Sequence, residues 1–132
     1  AAGLEGQTTF LPNVDREGKL AFLRDLTLFS VPSRYPEAFG LYVVEALAAG
    51  VPVVLPRTGA FPEIIEATEG GSLYQLEKTS ALTDALENLL ARPEEAYAMG
   101  LRGHEAVAER FSNKTLAVEL VDLVKSLHPT IF

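Results

Sequence analysis

The stretch Ser33-Arg-Tyr-Pro-Glu37-Ala-Phe39-Gly40-Leu41-Tyr-Val-Val-Glu45-Ala-Leu-Ala-Ala-Gly50-Val-Pro52-Val-Val54 decides how this chain is read. A strand ends at Pro32-Ser33 and a loop follows that carries one carboxylate, Glu37. A helix then opens on Phe39-Gly40-Leu41, with a second carboxylate, Glu45, one turn in. Gly50 fits a left-handed exit from that helix. The next run, Val51–Leu55, shows no polar alternation, as expected of a strand covered on both faces, with Pro52 near its start where a missing N–H is tolerated. Such a unit sets free helix N–H groups beside an acceptor carboxylate at the strand's carboxyl end. In open α/β sheets that edge is where nucleotides bind.

Working outward, Thr8-Thr-Phe-Leu11 is a short apolar run stopped by Pro12-Asn13 and predicts a buried strand. Asp15 caps a helix to about Asp25, with Leu20, Phe22 and Leu23 as its apolar face. Thr27–Val31 is the second strand, and a helix from about Gly40 to Ala49 follows. Downstream, Thr58-Gly59-Ala60 leads into a short helix over 62–67, and Gly70-Gly71 turns the chain into a last strand, Ser72–Leu76. The remainder is helical, over 80–91, 93–110 and 112–127. Ser112 or Asn113 caps the final helix, and Leu116, Leu120, Leu123, Val124 and Leu127 form one apolar stripe on it. Strand–helix alternation closing on helices predicts a Rossmann-like α/β fold: a parallel sheet with flanking helices and a helical C-terminal end. With no repeat or linker, residues 1–132 read as a single unit.

Composition narrows the function. The 132 residues are 48% apolar and 22% charged, in keeping with a globular domain that has a real core. No apolar run approaches the roughly 20 residues of a membrane helix. Without cysteine there is no disulfide, thiolate metal site or cysteine nucleophile, which is compatible with the cytoplasm. His104 and His128 are too few and too far apart in sequence for a metal site. The net charge of −7 argues against nucleic acid, which needs a concentrated basic face. Phosphates on a small ligand would have to be held by helix N-termini and a few local cations against that field.

Two glutamates with seven residues between them carry nothing alone, since Glu37/Glu45, Glu69/Glu77 and Glu87/Glu95 all show the spacing. Only the first pair sits in a nucleotide-site context. Around Glu45 the helix is apolar on nearly every side, with Leu41, Val43, Val44, Ala46, Leu47, Ala48 and Ala49. A carboxylate there needs a partner, because burying it unpaired costs several kcal/mol. A vicinal diol suits it, offering two O–H donors to two oxygens.

These residues resemble a family. Pro32-Ser33, Glu37-Ala-Phe39-Gly40-Leu41 and Glu45-Ala-Leu-Ala-Ala-Gly50-Val-Pro52-Val-Val54 are similar to the donor site of retaining glycosyltransferases of the GT-B fold, family 4 above all. The similarity continues through Thr58-Gly59-Ala60-Phe-Pro-Glu63, Gly70-Gly71-Ser-Leu-Tyr74 and Arg110-Phe111-Ser112, and so covers residues 8 to about 127. It implies that Glu45 binds the ribose hydroxyls of a nucleotide sugar and that Glu37, the catalytic candidate, lies by the transferred sugar. The backbone of Phe39, Gly40 and Leu41 would reach the donor's sugar and diphosphate, with Gly40 leaving room for close approach. Pro12-Asn13-Val14 matches a loop that in relatives runs past the nucleotide base. Glu63 fits either a site acid or an acid favouring its helix N-terminus. Arg34 and Arg57 are the only cations near these motifs in sequence, and ordinary surface roles suit them better.

The resemblance implies part of a GT-B C-terminal domain, residues 1–132, moving a hexose from a UDP- or GDP-linked donor to an acceptor. It implies no metal and no cofactor, only the nucleotide-sugar donor, and a cytoplasmic location that includes the inner face of a membrane. The family's donor domain begins with two further strand–helix units, bearing a glycine-rich turn and an Arg and a Lys that clamp the phosphates. Neither these units nor the acceptor-binding N-terminal domain corresponds to anything here, so the chain alone is expected to be inactive. In the family's strand order, 3-2-1-4-5-6, Thr8–Leu11 corresponds to strand 3. It should then either pair directly with Thr27–Val31 or leave an open edge to be completed by another polypeptide, a second copy included. The rival reading is a non-catalytic α/β binding or assembly domain. A receiver-type phosphorylation domain fits worse, because Phe10-Leu11-Pro12-Asn13 lacks the acids it needs.

Overall fold

The second of three parallel strands forms the middle of the protein in this computed structural model, which describes residues 3–127. That strand, β2 (Val53–Pro56), is buried along its whole length. It pairs on one side with β1 (Phe29–Ser30), Phe29 opposite Val53, and on the other with β3 (Gly71–Tyr74), Gly71 opposite Val53. A strand with two neighbours and two covered faces needs side chains that are apolar both up and down, which is why its sequence does not alternate.

Among the described residues, a short 3-10 turn at Glu5–Gln7 is followed by six α-helices: α1 (Arg16–Asp25), α2 (Leu41–Ala48), α3 (Phe61–Thr68), α4 (Ala81–Leu90), α5 (Pro93–Arg110) and α6 (Asn113–Leu127). Val53 and Leu55 point into one core with Val43, Leu47, Phe61, Ile64, Val107 and Leu23. Val54 points the other way, onto Tyr74, Ala81, Leu89 and Ala96. The order βαβαβ, parallel throughout and layered on both faces, is the α/β arrangement expected. No helix among the described residues is long and apolar enough to cross a membrane.

The caps follow the sequence. The Asp15 Oδ1 accepts from the Gly18 N–H at 2.8 Å, and the Ser112 Oγ from that of Thr115 at 3.1 Å. Gly50 has φ +78° at the exit of α2.

One expectation needs correction. Thr8–Leu11 is not a strand: all four residues are exposed, Phe10 at 86%, and the segment pairs with nothing in the sheet. The turn after it is real, with Asn13 at φ +53°. An apolar run becomes a strand only when a neighbour takes its N–H and C=O groups, and β1 offers none to this segment. Direct pairing therefore does not occur. On α6 the stripe residues Leu116, Leu120 and Leu123 share one face of the helix, and all three are exposed. The side chain of Leu127 and all of His128 lie outside the described residues.

Candidate functional site

Glu37 sits in the loop from β1 to α2, and the loop from β2 to α3 fixes its backbone. The Ala60 N–H donates to the Glu37 carbonyl at 2.8 Å. Gly59, at φ +55°, packs so closely that a Cβ there would stand 2.3 Å from the Glu37 nitrogen and 2.4 Å from its oxygen. Only glycine fits such a place. The carboxylate folds back on its own loop. Oε1 accepts from the amides of Ala38 at 2.9 Å and Phe39 at 3.3 Å, and Oε2 from the Tyr42 hydroxyl at 2.6 Å.

The Tyr42 hydroxyl, and after it the Phe39 amide, hold the Glu37 carboxyl below its ordinary pKa, against a smaller opposing effect of burial. The phenol of Tyr42 is pushed up to about 12, first by burial and then by its bond to the Glu37 anion. Its ring stands 6.5 Å from that of Phe29 on β1.

Gly40 caps α2 at φ +79°, ψ +50°. A Cβ there would meet the Phe61 ring at 3.2 Å and the Glu37 Cγ at 3.4 Å. The glycine thus serves the left-handed turn and the packing beneath the loop, a reason the sequence did not reveal. After it, the Leu41 and Tyr42 amides open the helix without intrahelical acceptors. Leu41 is exposed, and the half-exposed Phe39 meets Phe111 edge-on at 6.5 Å, at the α5–α6 junction.

Glu45 departs from expectation. It is neither deeply buried nor unpaired: Lys19 Nζ of α1 lies 2.6 Å from its Oε1, and the two side chains are 42% and 33% exposed. The helix is apolar toward the core, through Val43, Val44, Ala46 and Leu47, and open on the side of Glu45. Glu45 faces a cleft of about 660 Å³ between α1 and the α2–α5 pair. Arg16, Lys19, Leu20, Leu23 and Arg24 line one wall at helical spacing, with Val14 and Asp15 at the end. Glu45, Ala48, Ala49 and His104 line the other. His104 donates from Nδ1 to the Ala48 carbonyl at 2.7 Å, which ties α5 to α2.

The structure thus brings together Glu37, Phe39, Gly40 and Leu41 around the start of α2, and sets Glu45 on the cleft beside them. Glu37 does not line that cleft. Glu63 is exposed in the first turn of α3, and Arg34 and Arg57 are exposed. The cations near Glu45 are Lys19, Arg16 and Arg24, which sequence reasoning missed. Their spacing on one face of α1 was a usable signal, but nothing in the sequence showed that this face meets α2.

Known proteins fit this geometry. Residues 1–106 match the family described as glycosyl transferases group 1. A phosphatidyl-myo-inositol mannosyltransferase of Mycobacterium leprae (strain TN) is 40% identical over 90 residues, 68% of this chain and 24% of that protein. Sucrose-phosphate synthase from Thermosynechococcus elongatus superposes with a TM-score of 0.83 at 30% identity, over 96% of this chain and 31% of that one. The C-terminal domain of a glycosyl transferase group 1 family protein (LpcC) from Francisella tularensis gives 0.65 at 25% identity, over 80% and 53%. The chain therefore spans about a quarter of the length of the mannosyltransferase and about a third of the synthase. Matched over its first 106 residues and superposed on solved structures through both sheet and helices, the chain belongs to the group 1 glycosyl transferases and has the fold of their GT-B C-terminal domain.

Proposed function

We propose that this chain forms part of the donor side of a retaining hexosyltransferase that uses a UDP- or GDP-linked sugar. The observation that carries the reading is the Glu45 carboxylate, part exposed on a cleft of about 660 Å³, within the range of small-ligand sites. Lys19 occupies one lobe of Oε1. The other lobe and Oε2 are left for the two hydroxyls of a ribose, with the base in the cleft toward Val14 and Asp15. The diphosphate meets the amides that open α2, and Glu37 lies by the transferred sugar. Charge building on the departing diphosphate is the main term to stabilise, and basic residues elsewhere in the whole protein supply most of it. The reading assigns no metal or cofactor and a cytoplasmic location, and it gives the 132-residue chain by itself no transferase activity.

The test is Glu45→Gln in the natural polypeptide that carries this sequence. Replacing an acceptor oxygen by an N–H₂ donor spoils acceptance of both hydroxyls. Calorimetric titration should show UDP or GDP binding weakened by about 1–3 kcal/mol, roughly 5- to 150-fold. Unchanged affinity for both nucleotides would overturn the ribose assignment.

A further inference from the structure

Glu37 is held more firmly than closing its loop requires. Its backbone is already fixed through its carbonyl, bonded to the Ala60 N–H, and by the close packing of Gly59. Tyr42, five residues on, adds a 2.6 Å bond to Oε2 from a ring standing against Phe29. An ionised carboxylate has about four lone-pair sites. Three are taken by close hydrogen bonds, two on Oε1 from the Ala38 and Phe39 amides and one on Oε2 from Tyr42, while the Gly40 amide adds only a weaker pull on the carboxylate.

We propose that Tyr42 is a positioning residue for Glu37: its hydroxyl fixes Oε2 so that one defined lone pair is left for a hydroxyl of the transferred sugar. The inference rests on the placement of Glu37 beside the sugar proposed above. A carboxylate free to rotate would spread that acceptor over many directions, and orientation of this kind is a large part of what an enzyme contributes to rate. Tyr42 touches no substrate and acts only through Glu37. No charged group contributes to the lowered pKa of Glu37; α2 reaches the carboxylate through the Tyr42 hydroxyl, and α3 reaches only its carbonyl, through the Ala60 amide.

The experiment compares Tyr42→Phe and Glu37→Gln in the natural polypeptide, scoring kcat, donor KM, UDP and GDP affinity, thermal midpoint and the pH profile of kcat/KM. Tyr42→Phe keeps the ring against Phe29. It should lower kcat at least tenfold, leave nucleotide affinity within twofold, and move the acidic limb to higher pH as Glu37 loses the bond that most lowers its pKa. A kcat within twofold of the parent with an unmoved acidic limb overturns the proposal. So does a fall in nucleotide affinity or thermal midpoint that parallels the fall in kcat, which marks a merely structural role. If Glu37→Gln abolishes transfer while Tyr42→Phe is silent, only the role of Tyr42 falls. If Glu37→Gln leaves transfer intact, the placement of Glu37 falls and this inference with it.

Discussion

Glu37 and Glu45 are the same residue type, eight residues apart, yet they are held by opposite means. The side chain of Glu37 is oriented by its own neighbourhood: two amides of its loop and a tyrosine five residues on. Glu45 takes its partner from another helix, Lys19, 26 residues away in sequence. A locally held carboxylate depends on the shape of one loop. One held across helices depends on how two elements pack, and its ion pair is part exposed, so it is looser and sensitive to salt. The difference suits the two proposed tasks, since a group beside reacting atoms needs a fixed direction and a group gripping a ribose must exchange partners.

The comparison breaks most readily at Gly59. In Gly59→Ala a Cβ would enter the Glu37 backbone, at a residue whose φ is already positive. Left-handed strain and overpacking together should lower stability by about 2–5 kcal/mol, read from denaturant unfolding. A loss under about 1 kcal/mol would mean that the two loops are not locked together.

A smaller effect is expected where the hold is looser. Lys19→Met removes the cation from Glu45 while keeping most of the stem. A part-exposed pair of this kind is worth about 0.2–1 kcal/mol, so the fall in stability should stay within that range and shrink at high salt. A double-mutant cycle with Glu45→Gln should place the loss in the pair itself. Coupling near zero, or a loss that salt does not change, would show that Glu45 is not held through Lys19.

One further effect is confined to alkaline solution and is silent at neutral pH. The Tyr42 phenol is pushed up to about 12, whereas phenols of the unfolded chain ionise near their ordinary value of 10. Between those values the folded state keeps a proton that the unfolded state releases. This contribution to stability is therefore intact below pH 10 and is lost as pH rises toward 12. Ultraviolet titration of the four tyrosines should show a late step that disappears in Tyr42→Phe. Burial also raises the pKa of Tyr74, so the assignment rests on the variant. A titration that is the same in parent and variant apart from one ordinary tyrosine would deny the bond to Glu37.

Much of the fold was legible because its signals are local. Asp15 and Ser112 name helix starts, Gly50 names an exit, and the unbroken run Val53–Leu55 announces a strand with both faces covered. Thr8–Leu11 carries the same kind of signal, an apolar run beside a proline, and forms no strand. Nothing inside those four residues records whether a neighbouring strand exists. The α6 stripe makes the same point: periodicity says which residues share a face, and only packing says what that face meets.

For the site, the sequence by itself determined which residues stand together at the start of α2. The chain cannot separate Glu37, Gly40 and Glu45 by more than a loop and a turn of helix. It also determined the family, through an ordered series of motifs. Tertiary structure alone decided what those residues touch. Lys19 on Glu45, Gly59 beneath Glu37 and the α1 wall of the cleft join segments that are distant in sequence. Turns and caps are fixed by backbone geometry within a few residues, whereas an ion pair, a close backbone approach or a cleft exists only once separate elements have packed.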